Sequence, residues 1–172
     1  MDLTKQTKDF PETFYALIEI PVGSNCKYEY DEELEGIKLD RVLFTAMTYP
    51  TNYGFVLNTE GKDGDPLDVM VISSTPIASG MLVKCRAIGI AEMEDEEGQD
   101  NKVIAVPVEK VDPASSTLKE TSDMPAYSFI RFKARPYTNS LLNHKSRSLG
   151  ASLDIFMLAS KKEVDTQKAR IE

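Results

Sequence analysis

The sequence predicts an α+β domain, mostly antiparallel, whose short strands close into a complete or partial barrel. Two observations carry this. Apolar or alternating runs of four to eight residues recur through the first two-thirds of the chain, separated by Pro and Gly punctuation. Two helical candidates follow them. No internal repeat, low-complexity tract or long linker divides the 172 residues, so residues 1–172 read as one domain with a substantial core.

The elements follow in chain order. Residues 14–20, FYALIEI, form an apolar strand stopped by Pro21, and residues 27–30 alternate with period two. Residues 39–44 are a further extended candidate. The stretch 48–56, TYPTNYGFV, places aromatics between Pro and Gly and reads as an irregular packed loop. Residues 69–72, 81–91 and 103–108 complete the strands. Asp112-Pro113 supplies an N-cap and a first-turn proline for a helix over 112–120, and a second helix is predicted over 161–171. Residues 131–160 sustain neither period. His144, the only histidine, lies there and reads as exposed rather than catalytic.

Charge and composition narrow the function. The formal net charge of −8 opposes generic binding to nucleic acids or anionic membranes. No apolar run approaches the ~20 residues of a membrane helix, and the N-terminal residues carry acids and no apolar signal region. Cys26 and Cys85 are too few for a disulfide framework, which points to a reducing cytoplasm. A chain this acidic that binds an anion must recruit cations.

One hexapeptide, DGDPLD at residues 63–68, crowds Asp63, Asp65 and Asp68 against the apolar strand that follows. Alternation puts Asp63 and Asp65 on one side, and Pro66 bends the path so that Asp68 can join them. Two readings stand: a solvated acidic turn, or a site for Mg²⁺, which prefers hard carboxylate oxygens. A Ca²⁺ loop of the EF-hand type is excluded, because Leu67 occupies its fifth position. The second acidic cluster, residues 92–102, reads as a solvated hairpin tip at Glu94, Glu96 and Glu97. Asp95 and Asp100 sit where the strands meet that tip and are expected to face each other across its base, with Lys102 beside them.

Taken together, Glu19-Ile-Pro, Lys27-Tyr-Glu29, Asp40-Arg41, Tyr49-Pro-Thr-Asn-Tyr53-Gly, DGDPLDV and Asp95 through Lys102 resemble, in order and spacing, the soluble family I inorganic pyrophosphatases of bacterial type. The resemblance spans residues 12–125. It implies a five-stranded, OB-like barrel flanked by helices, and hydrolysis of diphosphate to two orthophosphates with several Mg²⁺ ions per site. It also implies that Asp63, Asp68 and Asp100 hold a first metal, with Asp68 bridging to a second. Asp95 and Asp100 would hold another, assisted through water by Glu19, and Glu29 would support the site. Asp65 would be the general base, Tyr53 a hydrogen-bond donor near the nucleophile, and Lys27, Arg41 and Lys102 the phosphate ligands. Seven carboxylates against three cations, with diphosphate added, call for roughly four dications. For bacterial members a homohexamer is implied.

Plainer readings exist residue by residue: Arg41 as a surface ion pair with Asp40, Lys27 as a solvated strand residue, Tyr53 as a core aromatic. Other functions stand beside the enzyme: a non-catalytic oligonucleotide-binding barrel, which the charge opposes, and a catalytically impaired relative. The last is motivated by residues 131–160, which depart from the family pattern. The family's paired phenylalanines, Tyr-Lys and Trp are absent; Tyr137 stands where the tyrosine belongs, but Thr138 follows instead of lysine. Either genuine divergence or a local reading-frame slip produces such a break. With that lysine and the family's helix lost, diphosphate affinity or thermal stability is expected to fall below that of intact relatives, as steady-state kinetics and melting curves would show.

Overall fold

A computed structural model describes residues 3–44, 46–61, 64–95, 98–124 and 134–136. Its centre is a closed five-stranded barrel. The strands are β1 (Phe14–Ile20), β4 (Asn52–Val56), β5 (Asp68–Val71), β9 (Lys102–Pro107) and β6 (Leu82–Ala91), hydrogen-bonded in that order, and β1 pairs back onto β6 to close the ring. All pairings in the ring are antiparallel except β5 with β9, which is parallel and sets Val69 opposite Val103. Closure removes the unpaired edges that would otherwise invite association.

Alternation explains the interior. Phe14, Ala16 and Ile18 of β1, Val69 and Val71 of β5, Val83 and Cys85 of β6, and Val103 and Ala105 of β9 form one buried cluster. Side chains two apart share a face, so these residues fill the barrel. Their neighbours on the outer face, Met70, Ile104 and Val106, are also buried, because Leu118 and Met124 from the following segment pack over them. Burial on both faces is why β5 and β9 read as continuous apolar runs.

Beside the barrel lies a two-stranded hairpin, β2 (Cys26–Asp31) with β3 (Gly36–Val42). It rests on the barrel through Tyr30 and Ile37, which pack against Leu17, Phe55 and Leu57, with Tyr30 edge-on to Phe55 at 6.2 Å. A small hairpin, β7 (Glu94–Asp95) with β8 (Gly98–Gln99), forms the acidic tip, and β10 (Ala134–Pro136) pairs with the end of β6. That last strand falls within 131–160, where neither strand nor helix is predicted.

Three predicted elements are corrected. Within 48–56, where the residues predict an irregular packed loop, residues 52–56 form β4; Gly54 and the flanking aromatics mask its period. The strand placed at 39–44 starts earlier and ends at Val42. The helix over 112–120 is absent. Asp112 does cap the turn, accepting from Ala114 N (3.2 Å) and Ser115 N (3.3 Å). The Ser116 and Thr117 hydroxyls then bond back to the carbonyls of Pro113 and Ala114, and the Arg86 guanidinium takes the carbonyls of Ser116 and Leu118. Acceptors needed for helix propagation are thereby used, so only 3₁₀ turns form, at Ser115–Thr117 and Thr121–Asp123. The helix predicted over 161–171 lies outside the described residues.

Two buried polar groups fasten the loops. Asn52 accepts from Val22 N (3.1 Å) and Ile77 N (2.8 Å) and donates to Ser73 Oγ (2.8 Å) and Val71 O (3.3 Å). Asp112 accepts from Ser74 N (2.7 Å) and Ser74 Oγ (3.1 Å). Gly54 is fixed by close approach: a Cβ there would lie 1.9 Å from the Leu17 carbonyl oxygen and 3.0 Å from Glu19 N. The obstacle is backbone of β1 and cannot rotate aside. Gly54→Ala is therefore expected to cost ~3 kcal/mol or more, read as a loss in the urea midpoint at unchanged slope.

Candidate active site

The site is built from two groups of side chains joined by a third. The first group lies on the outer face of the barrel. The parallel register of β5 and β9 brings their first residues, Asp68 and Lys102, side by side although 34 positions separate them. Lys102 is 2% exposed. Its ammonium donates to the Asp68 carboxylate and, at 2.6 Å, to Asp100 Oδ1. Asp100 is likewise buried, at 3% exposure. The Lys102 ammonium also stands 5.9 Å from the centre of the Tyr53 ring, within cation–π range. A buried lysine is tolerable here because two carboxylates share its charge.

Tyr53 sits on β4 opposite Met70, which directs its phenol toward Asp68. Burial, reinforced by the Asp68 charge and by a hydrogen bond to that carboxylate, pushes the phenol well above its usual range. It therefore acts as a neutral donor. Tyr49 packs beside it, ring centres 6.0 Å apart.

The second group lies on the β2–β3 hairpin. Cross-strand pairing sets Lys27 directly opposite Arg41. Two like charges in that position repel, and acids answer them: Glu29 accepts from Lys27 at 2.5 Å, while Asp40 stands 3.9 Å from Lys27 Nζ and 3.5 Å from Arg41 Nε. The sequence offered Asp40 only as a partner for Arg41; its reach to Lys27 comes from the hairpin register. Arg41 is largely exposed, its fork available to an anion.

Glu19 joins the two groups. Its Oε1 accepts from Tyr30 N on β2 at 2.7 Å, and it feels the charges of Asp68 on one side and of Glu29 and Lys27 on the other. Desolvation raises its pKa from 4.5 to about 7; the Tyr30 hydrogen bond opposes that shift, and the neighbouring acids add to it.

Asp65 is exposed on the loop entering β5, where its carbonyl accepts from Gly61 N at 2.5 Å. Asp63 and Tyr137 lie outside the described residues, and of Asp95 only the backbone is described. In the backbone, Asp95 and Asp100 are not direct cross-strand partners. Asp95 pairs with Gly98 inside the tip, whereas Asp100 N donates to Met93 O at 2.8 Å. The tip is one pairing step shorter than the spacing suggested.

Glu19, Glu29, Asp68, Asp100 and Tyr53 present hard oxygen donors only, with no described sulfur or imidazole among them, which fits Mg²⁺ rather than a softer ion. Among the described residues, no three such acids are grouped as a ready-made metal centre; Lys102 bonds to both Asp68 and Asp100.

Comparison with known proteins gives the family. The family described as "Inorganic pyrophosphatase" matches residues 16–134. The chain is similar to the inorganic pyrophosphatase of Thermoplasma volcanium, 69% identical over 129 residues, covering 75% of this chain and 76% of that one. It is also similar to that of Sulfolobus acidocaldarius, 52% identical over 118 residues, 69% and 68% of the two chains. Among solved structures, an inorganic pyrophosphatase from Thermus thermophilus superimposes with a TM-score of 0.70 at 42% identity, covering 74% of each chain.

The Glu19 carboxyl gives a pH signature. With its folded pKa raised, the folded chain holds a proton that the unfolded chain has released between pH 4.5 and about 7. Its contribution to stability is therefore lost as pH rises through that window. In a chelating buffer, the urea midpoint of the wild type relative to Glu19→Gln is expected to fall from pH 5 to pH 8. A constant difference across that range would refute the assignment.

Proposed function

The chain belongs to the inorganic pyrophosphatase family and is a hydrolase acting on diphosphate, and from that premise we propose how its residues divide the work. The observation that carries the reading is the position of Glu19 between a carboxylate group on the barrel and a cationic pair on the hairpin. Such a site can take an anion on one side and cations on the other.

Lys27 and Arg41 grip phosphate oxygens, Arg41 through its planar fork and Lys27 as a point charge. Lys102 and Tyr53 supply further donors from the barrel side, and Tyr137 adds another in this reading. Asp65 takes the proton of the attacking water; its exposed loop leaves it open to solvent and substrate. Asp63, Asp68 and Asp100 would hold a first Mg²⁺, Asp68 would contribute to a second, and Asp95 with Asp100 would hold one more, with Glu19 assisting and Glu29 steadying Lys27. When bound, these ions neutralise the substrate and make a water molecule acidic enough to attack at neutral pH. Phosphoryl transfer asks the protein chiefly for positioning and charge balance, and this donor set provides both. The same reading takes the chain as one cytoplasmic domain that assembles as a homo-oligomer, a homohexamer in bacterial relatives.

The test is phosphate release from diphosphate, with and without Mg²⁺, by wild type and Asp65→Asn. Wild type is expected to depend on Mg²⁺, and the variant to lose ~10²–10⁴-fold in kcat with little change in KM. Activity within twofold of wild type would remove Asp65 from the base role.

A further inference from the structure

Lys102 is the most completely buried cation in the described chain, and the reading above uses it only as a phosphate ligand. Its surroundings give it a second part. The ammonium has three N–H donors. One is spent on Asp68, one on Asp100 Oδ1 at 2.6 Å, and the Tyr53 ring face lies 5.9 Å away. Asp68 and Asp100 are the two carboxylates that the proposed mechanism assigns to Mg²⁺.

We propose that Lys102 and the divalent cation compete for Asp68 and Asp100, so that Lys102 sets the metal concentration at which the site loads. This rests on the reading of those two acids as metal ligands. A monovalent and a divalent cation on the same carboxylates repel each other strongly, because the pair is shielded from water. The buried position of Lys102 at the start of β9 leaves the ammonium little room to withdraw while both carboxylates hold it. Its release needs another acceptor. A phosphate oxygen is one, so an anion that takes the Lys102 donors raises metal affinity, and the metal raises affinity for the anion in equal measure. Lys102 thereby couples loading with metal to arrival of substrate.

The experiment is calorimetric titration of the folded full-length protein with Mg²⁺, without substrate, for wild type and Lys102→Met, alongside melting curves in chelator and in saturating Mg²⁺. Removing the ammonium is expected to tighten Mg²⁺ binding about tenfold or more. It is also expected to lower the melting temperature in chelator and to enlarge the rise produced by Mg²⁺. If Lys102→Met does not fold in chelator, Lys102→Gln, which keeps a hydrogen-bond donor without the charge, carries the same expectation. Unchanged or weaker Mg²⁺ binding in a folded neutral variant would overturn the proposal. Failure of the wild type itself to bind Mg²⁺ would instead overturn the metal-ligand reading and the proposal with it.

Discussion

The side chain of Glu19 is bonded to the backbone of a different structural unit, and the layout of the site depends on that bond. Tyr30 N–H on the hairpin points at a carboxylate rooted in the barrel, 2.7 Å away. The hairpin shares no strand ladder with the barrel. It is also held by an apolar contact around Tyr30 and Phe55 and, at its base, by backbone bonds from Gly23 N to Tyr49 O (2.8 Å) and from Tyr49 N to Ser24 O (2.9 Å). The hydrogen bond to the half-buried Glu19 adds a directional constraint farther along the strand. It sets the distance between the cations of the hairpin and the acids of the barrel.

The cost of that arrangement is visible in the electrostatics. Glu19 is driven toward its neutral form by burial and by its acidic neighbours, while Tyr53 is held neutral by the same surroundings. Against this, an apolar cluster fills the ring, which is closed on itself. The stability of the ring lets one stretch of its outer face carry crowded acids that would unsettle a smaller core. Gly54 marks where the two demands meet. Its lack of a side chain lets β1 and β4 approach closely enough to seat Glu19 and Tyr53 within one site.

Much of this was legible in the residues. β1, β5, β6 and β9 announce themselves because apolar runs bounded by Pro, Gly or Asp leave few alternatives, and the DGDPLD run gave away the acid cluster. β4 was hidden, since a strand whose centre is Gly between two aromatics looks like a loop until its partners are known. The helix at 112–120 misled because its cap is real; a guanidinium from β6, remote in sequence, took the carbonyls that a helix needs. For the site, local spacing located each acid but not its partner. Lys102 meets Asp68 only through a parallel register, and nothing within a short window of sequence encodes which strand lies alongside which. The same blindness placed Asp95 opposite Asp100, when the register at the tip pairs the Asp95 backbone with Gly98 instead.

That single parallel pairing has a consequence for how the protein comes into being. Neighbouring antiparallel strands can form by local zipping, but β5 and β9 are separated by all of β6 and must be brought together by a long loop closure. No shorter piece of the chain brings Asp68 beside Lys102. An unfinished nascent chain or a half-folded intermediate therefore cannot display the ion cluster, and its appearance reports, as a built-in timer, that the ring has shut.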